Sequence, residues 1–328
     1  MRIIKDTLGV AGNDVPQSII FAVSLLAFGC SIDGDWDQAR GHVEALQRII
    51  DSCGGVHTLD FELQRTVTWT AYRVSAALRL PPIFPIPRFL NVGPSPLAFL
   101  DDAQIRAWRT VKRFPKDSSF VFDIVVRLHQ LGLATSAEWY GEMDQRALSN
   151  MYFEALECTV VAQLDEPWSA TIAAGAQRQE AATMFKIWAA GLPVFVCGTI
   201  RHVRSRLGMI IVERRICDPL LARVRDLLDS LGGYHAWPRG KNLEPVLATL
   251  FYCVESCESI DAWRPWCMDA LRKVVEMLKI KSVDEFKKVL DHFPSTNEYR
   301  NAADEIWREM TQGGSAASTP SLTFSTLQ

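Results

Sequence analysis

A chain of 328 residues that is 48% hydrophobic and 22% charged carries enough apolar material for one large core or two packed lobes, which excludes intrinsic disorder as its class. A formal charge of -3 at neutral pH removes any overall attraction to nucleic-acid phosphates, so specific DNA or RNA binding by this chain alone is not expected. The cysteines at 30, 53, 158, 197, 217, 253, 257 and 267 are too sparse for a disulfide framework and point to reduced thiols.

The most apolar run, Ile19 to Cys30, has about a dozen residues against the roughly 20 that a bilayer span needs, and reads as a core helix. Asp14 supplies a cap for it and Pro16 a first-turn proline, while Ser31-Ile32-Asp33 follows where a signal peptide would carry its small-residue cleavage site. Neither a membrane span nor a signal peptide is expected. After a short loop at Ser31 to Gly34 comes the most completely punctuated helix of the chain, between Gly34 and Gly55. Asp35 is its N-cap, Asp37 places negative charge at the positive end, and Gln38 stands where a capping box closes. Ala39, Val43, Leu46, Ile50 and Cys53 fall on one stripe, with Arg40, Glu44, Gln47, Arg48 and Asp51 elsewhere, and Gly54-Gly55 stops the helix.

A third helix is predicted from about Asp60 to Leu80, with Leu63, Val67, Thr70, Val74 and Ala77 inward. Pro81, Pro82, Pro85 and Pro87 then forbid helix. Ile83, Phe84 and Ile86 between them make this segment a strap lying against the body rather than an exposed SH3-type ligand. Helical spacing continues from Ala98 to Leu164 through Ile105, Trp108 and Val111, then Phe122, Val125, Val126 and Leu128, then Leu148, Tyr152, Ala155 and Val160. Gln179 to Leu192 is a further helix, interrupted by Pro193.

Arg201, Arg204, Arg206, Arg214 and Arg215 form the basic concentration of the chain. Glu213 and the apolar Leu207, Met209, Ile210 and Ile211 dilute it, so it reads as a solvated helix face rather than a nuclear-import or phosphate-binding patch. Asp218-Pro219 opens a helix carrying Leu220, Leu221, Val224, Leu227, Leu228 and Leu231 up to Gly232-Gly233. The stripe Leu243, Leu247, Leu250, Val254 and Cys257 follows, then Cys267, Leu271, Val274 and Leu278. Ser282 with Glu285 makes a capping box before Phe286, Val289, Leu290 and Phe293, and Tyr299, Ala303, Ile306 and Met310 end the pattern. Residues 311–328 carry no charge and are rich in Gly, Ser and Thr, the composition of a disordered tail. The expected fold is all-α: a multi-helix bundle of packed antiparallel helix pairs over 1–310, with a superhelical arrangement left open and a division into lobes near 1–165 and 166–310.

Several short pieces in order resemble the regulatory, "fungal-specific transcription factor" domain found behind binuclear zinc-cluster DNA-binding modules. They are the apolar first helix, Gly34-Asp35-Trp36, the Ala39 and His42 spacing with the closing Gly54-Gly55, and the Trp69 helix ending at Pro81-Pro82. The apolar helix at 243–260 followed by Trp263, Arg264 and Trp266, and the last helix around Trp307, complete the set. The resemblance spans about residues 15 to 310, and departs where relatives carry an acidic residue two positions after the helix aromatic and this chain has Ala71 after Trp69. It implies a nuclear, non-enzymatic regulatory and effector domain that controls RNA polymerase II transcription through protein partners of the transcription machinery or a regulator, with a metabolite effector and a homodimer compatible with it. Zinc and DNA contact are implied only for the cluster module, which relatives carry N-terminal to this domain and which is absent from this chain. A helical interaction scaffold without a transcriptional role is the alternative.

The residues themselves nominate no catalytic or metal-binding site. Cys253, Cys257 and Cys267 have thiols to offer zinc, but they lack a tight C-x2-C pair and a fourth ligand, and lie on or beside apolar stripes where a thiol acts as a small hydrophobe. Asp101-Asp102 in FLDDAQI is similar to the aspartate-rich motif of helical isoprenoid synthases. Ile105 stands where a third carboxylate is needed, and helix capping explains the pair. His42, His57, His129, His202, His235 and His292 are scattered, without H-E-x-x-H, G-x-S-x-G or a glycine-rich phosphate loop. Ten tryptophans and sixteen phenylalanines are enough to line a small-molecule pocket, though at helical spacing most read as core.

Overall fold

The computed structural model describes residues 15–114, 121–164, 176–208, 217–232, 234, 237, 240–257 and 261–312. Among them are twelve α-helices and no strand, so helical periodicity read the fold class correctly. Asp14, 209–216 with Arg214 and Arg215, Gly233, His235 and 313–328 lie outside the described residues.

The first layer is α1 (Gln17–Asp33), α2 (Trp36–Ser52) and α3 (Phe61–Leu78). Pro16 sits at the N-cap of α1, one position before the expected first turn. The helix also runs through Ser31, because that hydroxyl donates to the Phe28 carbonyl at 2.6 Å and the left-handed turn is left to Gly34 at φ 82°. The connection to α2 is therefore Gly34 and Asp35 alone. Asp35 caps α2 by accepting from the Gln38 backbone N–H at 3.1 Å. The Gln38 amide bonds the same carboxylate instead of closing a capping box, while the Asp35 N–H donates to Cys30 O. Ala39, Val43, Leu46 and Ile50 are buried as predicted; Cys53, at the fraying end, is half-buried.

α3 holds the molecule together. Its inner stripe is buried, but so are Thr68, Ala71, Tyr72, Arg73 and Ala76, which closes almost its whole circumference. Leu63, Val67, Ala71 and Val74 join α1 and α2 in a smaller core with Phe84, whereas Tyr72 and Ala76 belong to the larger core made by the rest of the chain. The two apolar cores thus meet along α3. The proline strap spans the same junction, with Ile83 and Phe84 on the smaller core and Ile86 on the larger.

α4 (Leu97–Val111), α5 (Phe122–Ala134) and α6 (Gln145–Ala162) pack consecutively. Here one expected face is corrected: Ile105 and Trp108 are about half exposed at 52% and 50%, and Phe99, Ala103, Ala107 and Thr110 are buried instead. Small alanines allow α4 to approach α5 closely, and periodicity weighted by side-chain size misses a face built on them. At Gly132 on α5 a Cβ would stand 2.6 Å from the Ser295 carbonyl oxygen, so that crossing requires glycine.

α7 (Ala176–Arg206) runs through Pro193 without the expected interruption. An interior proline costs roughly 3 kcal/mol. The residues around it, Ala189, Ala190, Leu192, Val194, Phe195 and Val196, are all buried, so packing on α5, α6, α8 and α9 outweighs local propensity. Residues Thr183–Arg206 are long and apolar enough to cross a bilayer by length and composition, yet 78% of the apolar window is buried inside the molecule. α8 (Asp218–Asp229) opens with Asp218 and Pro219 as its first two residues, Cys217 being the N-cap. α9 (Glu244–Ser256) is buried on nearly all faces rather than on one stripe, and contacts α7, α10 (Arg264–Met277), α11 (Val283–Leu290) and α12 (Asn297–Gln312). Ser282 caps α11 at 3.2 Å, and Glu285 reaches back to the Lys281 N–H at 2.7 Å. α12 extends through Thr311 and Gln312, two residues into the expected tail.

His129 is enclosed between α4 and α5. Its Nε2 lies 2.8 Å from Thr110 Oγ, and with the one proton of that hydroxyl directed to a backbone carbonyl, His292 being closer than Arg106, the imidazole N–H is the donor. Burial, and secondarily the Arg106 cation, push its pKa down from 6.5 to about 3. The unfolded chain takes up a proton near pH 6.5 and the folded chain does not until about pH 3. Stability should therefore fall on acidification across that window, by about 1.4 kcal/mol per pH unit. Urea titrations of wild type and His129→Gln at pH 7 and pH 4.5 check this: the variant should lose less stability between the two, and equal losses would contradict the assignment.

Candidate functional site

Where α3, α6 and α7 meet, with α5 behind them, the packing leaves a cavity of about 400 Å³. Helical spacing brings its walls together. Arg65, Thr66 and Trp69 come from one face of α3, Leu148, Ser149 and Tyr152 from α6, and Ile200, Val203 and Arg204 from α7. Trp69 packs against Tyr152 in a tilted pair at 4.8 Å and meets Phe153 edge-on at 6.3 Å, which holds its ring in place. The Arg204 guanidinium lies 5.9 Å from the Trp69 ring.

Arg65 has the least ordinary environment in the cavity. Its guanidinium sits 4.6 Å from the ring centroids of both Phe89 and Phe153 and 5.7 Å from Phe61, and it donates to Ser149 Oγ and to the Pro87 carbonyl at 3.4 Å. Burial lowers its pKa; Glu62, on the same helix, works in the opposite direction and does not cancel this. Among the described residues, two arginines and no Asp, Glu, His or Cys line the cavity. Such a lining binds and orients through charge, hydrogen bonds and aromatic contact.

Arg204 apart, the residues that the sequence offered as ligands or catalytic groups fall elsewhere. Cys257 and Cys267 come within hydrogen-bonding reach of each other, and with Cys217 and Cys253 they are buried thiols. Burial pushes Cys217 up to about 12 and Cys253 well above the ordinary thiol range, so they are protonated at neutral pH. Among the described residues no group of three or more His, Cys, Asp or Glu side chains has the placement to hold a metal ion. Asp101 and Asp102 lie inside α4 rather than capping it, and Asp102 pairs with Arg106 one turn later at 2.9 Å. Arg201, expected on a solvated face, is instead largely buried against Glu255, while Arg206 reaches Glu298 at 3.0 Å.

His202 links Thr296 at 3.0 Å and Glu255 at 2.9 Å, a hydroxyl–imidazole–carboxylate chain assembled from three separate segments that no local motif announces. Thr296 is 1% and His202 5% exposed, which leaves the hydroxyl no substrate to attack; with Arg201 and Tyr299 the chain serves the core. The cavity was equally hidden from the sequence. Only Trp69, Leu148 and Tyr152 stood out there as apolar markers, and Arg65 carried no signal beyond its charge. Comparison of the chain with protein-family models, curated proteins and solved structures gave no match.

Proposed function

We propose that this chain is the regulatory and effector body of a fungal zinc-cluster-type transcription regulator, acting in the nucleus on RNA polymerase II transcription through protein partners and a small-molecule effector. In this reading the DNA contact and its zinc belong to a cluster module outside this chain. The supporting observation is the α3–α6–α7 cavity, whose lining among the described residues is suited to binding and carries no carboxylate, imidazole or thiol. Trp69 and Arg65 sit on α3, the helix on which both apolar cores depend, so an occupant there bears on how the first three helices seat against the rest.

An exposed apolar face on α4, with Leu97 at 79% joining Ile105 and Trp108, favours the second reading, a helical interaction scaffold without a transcriptional role. A tethering experiment separates the two. Fused to an unrelated DNA-binding domain, the chain should change reporter transcription or mask an activation domain placed beside it. A fusion that is expressed, nuclear and inert in both formats would leave the scaffold reading.

A further inference from the structure

Charge is the property of this cavity that an effector would have to match. Arg65 is half-buried among three aromatic rings, and no carboxylate among the described residues pairs with it. Its hydrogen bonds to Ser149 and Pro87 use two of the five N–H donors that a guanidinium carries. Arg204 lies beside Trp69 at 5.9 Å, and among the described residues no acidic side chain lines the space. In a cleft with low-dielectric walls an anion gains from the Arg65 charge and a cation is repelled. Trp69, Tyr152, Leu148 and Val203 give the space its apolar surface, beside the polar Thr66, Thr135 and Gln145. A volume of about 400 Å³ accommodates a bicyclic ring system with a short acidic arm.

Resting on the effector reading of the same site, we propose that the cavity takes a small monocarboxylic acid with a flat apolar body, its carboxylate on Arg65 and its rings against Trp69. Planar bidentate pairing is what a guanidinium offers a carboxylate, and an arginine already held by aromatic rings loses little freedom in making it.

The test uses the full chain and three probes of one shape, naphthylacetate, neutral naphthylacetamide and cationic naphthylmethylamine, followed by calorimetry and thermal shift. The acid should bind and the amide and amine should bind about tenfold more weakly or worse. Arg65→Gln should weaken the acid about tenfold while leaving the amide unchanged, and Arg48→Gln, remote on α2, should change neither. Should Arg65→Gln fail to fold, Val203→Trp fills the cavity with Arg65 intact and should abolish binding of the acid. Equal affinity for acid and amide, no binding of the acid, or an acid indifferent to both cavity variants overturns the proposal. The tethered reporter is read separately: acid binding with an inert reporter retains the ligand class and removes the regulatory role. A responsive reporter with no acid binding removes the ligand class alone.

Discussion

Glu255→Ala should destabilise the protein by about 3–5 kcal/mol, the cost of leaving a buried cation without its partner. The Glu255 carboxylate accepts from the Arg201 guanidinium with one oxygen and meets His202 Nε2 at 2.9 Å with the other. The two sides agree about the pair. Despite strong burial the Glu255 pKa is lowered, by the His202 hydrogen bond and then the Arg201 charge, and the Arg201 pKa is raised by Glu255. Side-chain exposures of 12% for Glu255 and 18% for Arg201 leave little water to replace a lost partner. The double variant Arg201→Met/Glu255→Met should recover most of the loss, since hydrophobic replacement of a buried pair is often neutral. Denaturant melts of the three proteins measure this, and a loss below about 1 kcal/mol for Glu255→Ala would place the pair in effective contact with solvent.

Leu46→Asp should cost about 4 kcal/mol or more, because it buries a carboxylate with no cation at the centre of the smaller core. Leu46 is fully buried between α1 and α2. Arg48, two residues on and exposed, is the matched control, and Arg48→Asp should stay within about 1 kcal/mol. Gln47, which the helical wheel sets outward, is half-buried and a poorer control. Since the two cores share α3 and the strap, Leu46→Asp should also loosen the first three helices before the rest. Circular dichroism melts with a new low-temperature phase in Leu46→Asp would show this, and identical melts for Leu46→Asp and Arg48→Asp would refute the burial of that stripe.

Several elements were fully legible in the sequence because their determinants are local. Asp35 with Gly54 and Gly55 brackets α2, Ser282 with Glu285 starts α11, and the stripes of α6, α12 and, Cys53 apart, α2 bury the residues that periodicity named. A cap bonds residues within one turn, and a stripe needs only one partner surface, so neither depends on knowing what lies opposite. The all-α class follows from the same local signals repeated along the chain.

Tertiary structure decided what local signals could not. Pro193 continues inside α7 because surrounding burial outweighs a local penalty, and α4 turns its alanines inward because the α5 surface rewards close approach over bulk. Arg201 becomes a core residue only once Glu255 is brought to it from α9, 54 positions away. Arg65 becomes a candidate anchor only once Phe89, Phe153 and Ser149 surround it. Charge and burial are properties of a place in the fold, and the sequence determines that place only through contacts between residues far apart along the chain.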